Sequence, residues 1–253
     1  MSCITIRNCC IGEGKPNVII PIVEHTEAAI LQKAAEFSTL SADCVEWRVD
    51  LFELAKDLRA VAHYAAKLRV ALKDKLLLVT FRTKSEGGSA ALSREEYIRF
   101  IRTVLATDCA DLIDIEFFTA GADLPGLIED AHTAGVKVVC SSHDFHKTPP
   151  CAELVSRMTA MQEAGADLPK LAVMPTCRAD VIALLAATAE MADHHPKTPV
   201  ITMSMGILGA VSRLCGEAFG SAMTFANPGA ASAPGQVPLD VVNEVLESLH
   251  AER

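Results

Sequence analysis

The chain has 253 residues, of which 50% are hydrophobic and 22% charged, so it can bury a core and is not expected to be disordered. Its formal net charge of −9 and its pI near 5.4 disfavour nucleic acid and anionic lipid as partners. No run of Lys and Arg provides a local exception.

The sequence contains no segment that suggests export or membrane insertion. Its N-terminus has no charged region followed by a long apolar stretch, and its longest apolar run, residues 181–189, is much shorter than the ~20 residues that span a bilayer. The nine cysteines are odd in number and include no CxxC pair, which does not suggest a disulfide framework. We therefore expect a cytoplasmic protein with reduced cysteines.

The first predicted element is a hairpin within residues 1–15. Ile4-Thr5-Ile6-Arg7 and Ile11-Gly12-Glu13-Gly14 form two short segments that precede the first long apolar run. We expect this hairpin to cap one end of the fold.

Eight short apolar or β-branched segments follow, and longer helical patterns separate them. The predicted strands are 18–23, 44–49, 76–82, 112–117, 136–142, 168–174, 200–204 and 221–225. The predicted helices are 27–37, 56–72, 94–106, 124–134, 149–164, 178–192, a short one at 208–214, and 239–250. Two sequence signals support helix starts: a capping box at Ser93-Arg94-Glu95-Glu96, and Thr148 before Pro149. Strands that alternate with helices predict a parallel sheet.

Eight strands in about 250 residues predict one α/β fold, a (β/α)8 TIM barrel that forms a single domain over residues 1–253. An open, doubly wound sheet is the main alternative, and it would normally carry a phosphate-binding loop after its first strand. Gly12 and Gly14 do not complete GxGxxG, because Asn17 stands where the third glycine belongs, and no GxxxxGK[ST] sequence occurs. We expect no nucleotide cofactor.

Lys170 is the unusual residue of the sixth predicted strand, Leu168-Pro169-Lys170-Leu171-Ala172-Val173-Met174. A buried amine is less easily charged, so burial would move its pKa down from ~10.4 toward the ~7–8 at which a lysine can act as a nucleophile. Such a lysine is typical of enzymes that form imines. The alternative is that Lys170 lies at the strand end and extends its charge into water.

Other charged side chains also fall at the carboxyl ends of predicted strands, where barrels collect their chemistry. They are Glu46, Arg48 and Asp50 on one face of the second strand, Arg82 after the third, Asp114 and Glu116 on the fourth, and His143 after the fifth. Each could singly be an ion pair, a solvated strand end or a hydrogen-bonded core residue. Several buried charges in one interior are costly unless they pair with each other or with a ligand, which favours a binding site.

These residues resemble the motifs of type I 3-dehydroquinate dehydratase along the whole chain. The matching segments are Glu46-Trp47-Arg48-Val49-Asp50, Phe81-Arg82-Thr83 with Glu86-Gly87-Gly88, Asp114-Ile115-Glu116, Ser142-His143-Asp144-Phe145-His146-Lys147-Thr148-Pro149, Pro169-Lys170-Leu171-Ala172-Val173-Met174-Pro175, and Ala231-Ser232-Ala233-Pro234-Gly235-Gln236. They occur in the family's order and with its spacing.

The resemblance implies a cofactor-free lyase that dehydrates 3-dehydroquinate to 3-dehydroshikimate in the shikimate pathway of aromatic amino acid biosynthesis. Lys170 would form an imine with the ring ketone. His143 would shuttle protons in a syn elimination, and Glu86 would orient His143. These three are the expected catalytic residues.

The resemblance also implies how the substrate is held. Arg213 matches the family position that binds the carboxylate, and Glu46, Arg48 and Arg82 would meet the ring hydroxyls. Ser232 and Gln236 fall in a Pro- and Gly-rich segment that would close over the substrate.

The chain departs from the family pattern at three places. Ser142 replaces a larger polar residue before His143, and by alternation it should point away from His143. Pro21 stands where some members have serine, and Met205-Gly206-Ile207-Leu208 is less polar than the family loop.

Two alternative functions remain open at this point. A class I aldolase would use the same barrel and an imine lysine, and a non-catalytic regulator could bind dehydroquinate on an enzyme fold. The remaining histidines lack ligand spacing, so we expect no metal. The family's members are commonly homodimers, and we expect the same here.

Overall fold

The computed structural model describes residues 2–229 and 233–250 of the chain. Its strands are β1 Ile4–Ile6, β2 Cys9–Ile11, β3 Asn17–Ile22, β4 Cys44–Arg48, β5 Leu76–Thr80, β6 Leu112–Glu116, β7 Lys137–Asp144, β8 Leu168–Val173, β9 Ile201–Ser204, β10 Met223–Asn227 and β11 Val237–Pro238.

The α-helical segments alternate with strands β3 to β10. They are α1 Glu27–Phe37, α2 Leu58–Leu72, α3 Arg94–Leu105, α4 Phe117–Ala120, α5 Leu124–Thr133, α6 Cys151–Glu163, α7 Arg178–His194, α8 Gly206–Gly209, α9 Gly216–Phe219 and α10 Leu239–Leu249. Short 3-10 helices cover Val49–Leu51, Lys84–Glu86, Gly121–Asp123 and Ala210–Arg213.

Strands β3 to β10 form a curled parallel sheet in which sequence neighbours pair from β3 to β9, and β10 pairs with β3. The seam between β9 and β10 is the weakest, because the one β-bridge there, Val200 with Ser221, joins the residues just before these two strands. The predicted (β/α)8 TIM barrel is confirmed, with an open seam at that point. The predicted barrel strands are all present, with bounds shifted by two residues or fewer.

The predicted hairpin is also confirmed: β1 and β2 pair antiparallel at the amino-terminal end of the barrel. Ile6 and Ile11 of the hairpin are buried with interior residues from the starts of the barrel strands, such as Ile19, Cys44 and Leu76. The hairpin therefore closes the end of the barrel opposite to the one at which parallel strands terminate.

Side chains along each strand point alternately outward and into the barrel. The outward side chains form one apolar core, and the inward ones form a second apolar core and a charged region. Val45 and Trp47 of β4 point outward into the core between strands and helices, while Cys44 belongs to the inner core. Glu46 and Arg48 line an interior cavity further along the same strand. The barrel interior thus changes from apolar to charged toward the carboxyl ends.

One hydrogen-bonding arrangement recurs at alternate strands around the barrel. A side-chain oxygen just before a strand accepts a hydrogen bond from a backbone N–H near the start of the preceding strand. The pairs are Val18 to Asp43 at 2.7 Å, Leu77 to Asp111 at 2.8 Å, Val138 to Asp167 at 2.9 Å and Thr202 to Ser221 at 3.1 Å. These contacts satisfy N–H groups at strand starts and help to fix the strand register.

The helix starts show one confirmed signal and one error. Ser93 and Glu96 form the predicted capping box of α3. The helix predicted from residue 149 begins instead at Cys151, because the hydroxyl of Thr148 donates to the carbonyl of Met174 and does not cap a helix. The predicted short helix at 208–214 divides into α8 and the 3-10 helix Ala210–Arg213.

The prediction of reduced cysteines is wrong for one pair, because Cys3 and Cys10 form a disulfide with Cα atoms 6.3 Å apart. The pairing of Thr5 with Cys10 places Cys3 diagonally beside Cys10 on the neighbouring strand, within reach of a bond. An odd cysteine count does not reveal this proximity. Among the helices of the described residues, none is both long enough and apolar enough to cross a bilayer.

The recurring strand-start contact predicts a specific stability difference. Asp43→Ala leaves the N–H of Val18 without its acceptor and should lower the free energy of unfolding by about 1–3 kcal/mol. Asp43→Asn keeps an oxygen acceptor and should cost clearly less. Urea unfolding of the two variants tests this, and equal losses would mean that the hydrogen bond contributes little.

Candidate active site

A cavity opens at the carboxyl ends of the barrel strands, the position expected for a ligand site in this fold. Its charged or titratable lining comprises Glu46, Arg48, Arg82, His143, Lys170 and Arg213. Its apolar lining comprises Phe145, Ala172, Met203, Met205 and Phe225. The cavity therefore combines a charged wall with an apolar wall.

Lys170 lies inside this cavity and only 2% of its surface is exposed, which rules out the alternative that it extends into water. Its Nζ donates a hydrogen bond to Asp114 Oδ2 at 3.0 Å and lies 4.7 Å from the centre of the Phe225 ring. Alternation along β8 explains the placement, because Leu171 and Val173 point outward into the core.

Asp114, the partner of Lys170, is completely buried on β6. It also accepts a hydrogen bond from Ser141 Oγ at 2.5 Å and lies 3.8 Å from a guanidinium nitrogen of Arg82. Burial alone would raise the pKa of Asp114, but the charges of Lys170 and Arg82 outweigh it and bring that pKa below its usual value. Asp114 is therefore a carboxylate anion over the physiological range.

His143 contacts Glu86 at two points. Its Nδ1 lies 2.8 Å from Glu86 Oε2, and its backbone N–H donates to the same oxygen at 3.0 Å. Since Nδ1 is engaged, Nε2 is the ring nitrogen that remains available on the cavity side. The side chain of His143 is only 4% exposed.

The loop that carries Glu86 depends on two glycines. Gly87 has a left-handed φ of +82°, and a Cβ there would meet the Phe145 ring at 2.4 Å. A Cβ at Gly88 would lie 1.9 Å from the carbonyl oxygen of Arg82. The loop therefore packs tightly against the backbone of Arg82, just after β5, and this places Glu86 beside His143.

The two members of this pair have pKa values shifted in opposite directions. Burial, together with the nearby charge of Glu116, raises the pKa of Glu86 to about 8. Burial, together with the charges of Arg82, Lys170 and Arg48, lowers the pKa of His143 well below its usual value. His143 is thus a neutral imidazole near neutral pH and can accept a proton.

Arg213 is a buried cation without an acidic partner among the described residues, and only 2% of its surface is exposed. Its guanidinium contacts the sulfur of Met203 at 3.5 Å and the carbonyl of Pro234 at 3.3 Å, and burial lowers its pKa to about 10. A buried guanidinium in a cavity without a carboxylate partner is suited to binding an anion.

The other predicted contact residues lie in the same wall. Glu46 accepts a hydrogen bond from Thr80 Oγ1 at 2.9 Å, and Arg48 donates to both oxygens of Asp50 at 2.7 and 2.8 Å. Asp50 itself lies beyond the end of β4, in a 3-10 helix, where it also accepts from backbone N–H groups of the Glu86 loop. Asp50 therefore supports the wall.

Of the predicted site residues, Gln236 also lines the cavity, whereas Ser232 lies outside the described residues. Ser142 points away from His143 as predicted and accepts a hydrogen bond from Arg157 at 3.1 Å. The sequence reasoning did not assign a role to Asp114. Alternation placed Asp114 inward, but no local pattern indicates that it meets Lys170 across the intervening strand β7.

Fold and cavity together define a (β/α)8 barrel protein with a charged small-molecule site at its carboxyl ends. The family model described as type I 3-dehydroquinase matches residues 18–253. The chain therefore belongs to the type I 3-dehydroquinase family.

Named relatives and solved structures agree with this assignment. The 3-dehydroquinate dehydratase of Bacillus subtilis is 46% identical over 250 residues, covering 99% of this chain and 98% of the relative. A Clostridium difficile type I 3-dehydroquinate dehydratase with covalently modified comenic acid is 43% identical, with a TM-score of 0.95 and 98% of each chain covered. The Geobacillus kaustophilus 3-dehydroquinate dehydratase is 36% identical, with a TM-score of 0.96, covering 100% of this chain and 98% of the other.

The raised pKa of Glu86 predicts how stability depends on pH. Between the usual carboxyl pKa of ~4.3 and about 8, the folded protein holds a proton on Glu86 that the unfolded chain releases. The contribution of Glu86 to the free energy of unfolding should therefore fall as pH rises through this window.

The glutamine of the Glu86→Gln variant cannot ionise, so the variant lacks this pH-dependent contribution to the free energy of unfolding. Relative to the parent protein, the variant should gain stability as the pH of urea-unfolding experiments rises from ~5 to ~8. A difference between variant and parent that stays constant over this range would contradict the raised pKa of Glu86.

Proposed function

We propose that this protein dehydrates 3-dehydroquinate to 3-dehydroshikimate through an imine at Lys170. The observation that carries the proposal is the buried amine of Lys170 in a cavity that is also lined by the guanidinium of Arg213 and by His143, whose Nδ1 contacts Glu86. Relatives of 44–46% identity named 3-dehydroquinate dehydratase support the choice of substrate.

Imine formation would make the substrate carbon acidic. Lys170 attacks the ring ketone, water leaves, and the protonated imine nitrogen withdraws electrons from the adjacent carbon. The enclosed position of Lys170 keeps bulk water away from this intermediate. The covalently modified comenic acid of the Clostridium difficile relative is consistent with covalent chemistry in this family.

His143 would act as base and then as acid. Its lowered pKa makes it neutral before reaction, so Nε2 can take the proton from the activated carbon. The imidazolium then protonates the departing hydroxyl on the same face, which is a syn elimination. Glu86, held to Nδ1, fixes the ring orientation, and in its ionised form it stabilises the imidazolium.

Substrate binding would divide between Arg213 and the opposite wall. The guanidinium of Arg213 would pair with the substrate carboxylate, and Glu46, Arg48 and Arg82 would contact the ring hydroxyls. Gln236, which lines the cavity, and Ser232 would belong to the segment that closes over the bound molecule. We expect the reaction to need neither a metal nor a cofactor.

The two alternative functions have less support. Named relatives covering nearly the whole chain are dehydratases, and no observation favours carbon–carbon bond cleavage. A regulator without activity would have no need of the Lys170, His143 and Glu86 set. Function in the shikimate pathway, a cytoplasmic location and a homodimeric state complete the proposal.

The assigned activity predicts an absorbance increase when 3-dehydroquinate is added, because the product is a conjugated enone. Lys170→Met should abolish this increase, since the nucleophile is lost while the volume is roughly kept. Reduction with borohydride in the presence of product should add mass to the peptide that contains Lys170. Activity without an adduct at Lys170 would overturn the imine mechanism, and no activity in folded protein would overturn the function.

The proton shuttle predicts a separate result for His143. His143→Ala should reduce turnover by about 10²–10⁴-fold while some imine is still trapped at Lys170, because the amine remains. His146→Ala is the matched control, since His146 is exposed and follows His143 closely in sequence. Unchanged turnover in His143→Ala would remove His143 from this role.

A further inference from the structure

We infer that Asp114 is a positioning residue for the proposed reaction: it is the fixed counter-ion that holds Lys170 Nζ and keeps the imine nitrogen protonated. This inference rests on the proposed function, because it concerns the same amine. It goes beyond that function by assigning a role to a carboxylate that the Lys170, His143 and Glu86 set does not include.

The carboxylate of Asp114 is held in a fixed orientation, because both of its oxygens accept hydrogen bonds. It is completely buried, and Oδ2 accepts from Lys170 Nζ at 3.0 Å while Oδ1 accepts from Ser141 Oγ at 2.5 Å. Ser141 is paired with Lys170 between neighbouring strands, so the hydroxyl that orients Asp114 comes from the strand between β6 and β8. Two hydrogen bonds on rigid strands fix this carboxylate.

The charge balance of imine formation explains why a permanent anion suits this place. An ammonium and a ketone combine to give a protonated imine and water: the new bond joins nitrogen to carbon, the carbon–oxygen bond breaks, and the oxygen leaves with two of the ammonium protons. One positive charge therefore lies at Nζ before and after the step. A fixed anion 3.0 Å from Nζ stabilises both states without rearrangement.

The surrounding charges make this counter-ion necessary. The charged or titratable groups that face the Lys170–Asp114 pair from neighbouring elements are Glu46, Arg48, Arg82, Glu86, Glu116, His143 and Arg213. Glu86 and Glu116 are bound to His143 and to Thr83, and Arg48 pairs with Asp50. Among the described residues, Asp114 is the carboxylate that forms an ion pair with Lys170.

Asp114 does not assist every step of the reaction. Removal of the carbon-bound proton converts the cationic imine into a neutral enamine, and an anion beside nitrogen does not favour that change. Asp114 should therefore favour the protonated form of the imine over the neutral form, both before the carbon-bound proton is removed and in the final product imine. Its loss should reduce the amount of cationic imine more than it slows proton transfer to His143.

The test compares Asp114→Asn with the parent protein in cyanoborohydride trapping of 3-dehydroshikimate over a range of pH. Cyanoborohydride delivers hydride to the carbon of a cationic imine far faster than to a neutral one, so the adduct at Lys170 measures the protonated imine. Without the nearby anion, the cation should lose its proton at lower pH. The alkaline limb of trapping should move down by about 1–3 pH units, and turnover should fall about 100-fold.

Glu116→Gln is the matched control, because Glu116 is an equally buried carboxylate of β6 that contacts Thr83 and Arg82 and does not contact Lys170. It should lower turnover, because Glu116 holds Thr83 at the start of the loop that carries Glu86. It should leave the pH profile of trapping unchanged. If both variants moved the profile equally, the effect would belong to buried charge in general, and the inference would fail.

Ser141→Ala provides a second variant if Asp114→Asn does not fold, as judged by thermal unfolding. It removes one hydrogen bond from Asp114 and should move the profile in the same direction by a smaller amount. Superimposable profiles for the folded variants and the parent would overturn the role of Asp114. Absence of any adduct in the parent protein would instead overturn the proposed imine mechanism.

Discussion

The ion pair between Lys170 and Asp114 is the interaction on which the organisation of the site depends. Both groups are almost completely buried, and an isolated charge in such a place would be strongly destabilising. The ion pair, with its atoms 3.0 Å apart, offsets the cost of burying both charges. The barrel places Asp114 on β6 and Lys170 on β8, the two strands that flank β7. The neighbouring Arg82 lies between Asp114 and Glu116, at 3.8 and 3.5 Å. The charges of this wall are therefore mutually dependent.

This arrangement is possible because the two ends of the barrel differ: one contributes an apolar core, and the other carries the charged cavity. The amino-terminal end is apolar, closed by the hairpin, and its strand starts are joined by contacts such as Asp111 with the N–H of Leu77. Stability is thus supplied away from the site. The carboxyl ends can then carry charged groups whose burial costs free energy but prepares them for chemistry.

Much of this architecture could be predicted from the sequence, because alternation and helical periodicity are local properties. Period two placed Glu46, Arg48 and Asp114 inside, and the strand bounds followed within two residues. Contacts between side chains of different elements were not accessible in the same way. The pairing of Asp114 with Lys170, the disulfide of Cys3 with Cys10, and the bond from Thr148 to Met174 each depend on three-dimensional proximity.

Arg213 differs from the other arginines of the site in its partners. Arg48 and Arg82 face carboxylates of the protein, whereas Arg213 contacts only a sulfur and a carbonyl among its described hydrogen-bond partners. Its lowered pKa of about 10 reflects the cost of burying a cation that no protein anion compensates. An anionic ligand would supply that compensation. Its pairing with Arg213 would offset the cost of burying the cation, and this gain would contribute to the free energy of binding. The overall charge of −9 does not prevent this, because charges beyond ~8–10 Å are largely screened by salt.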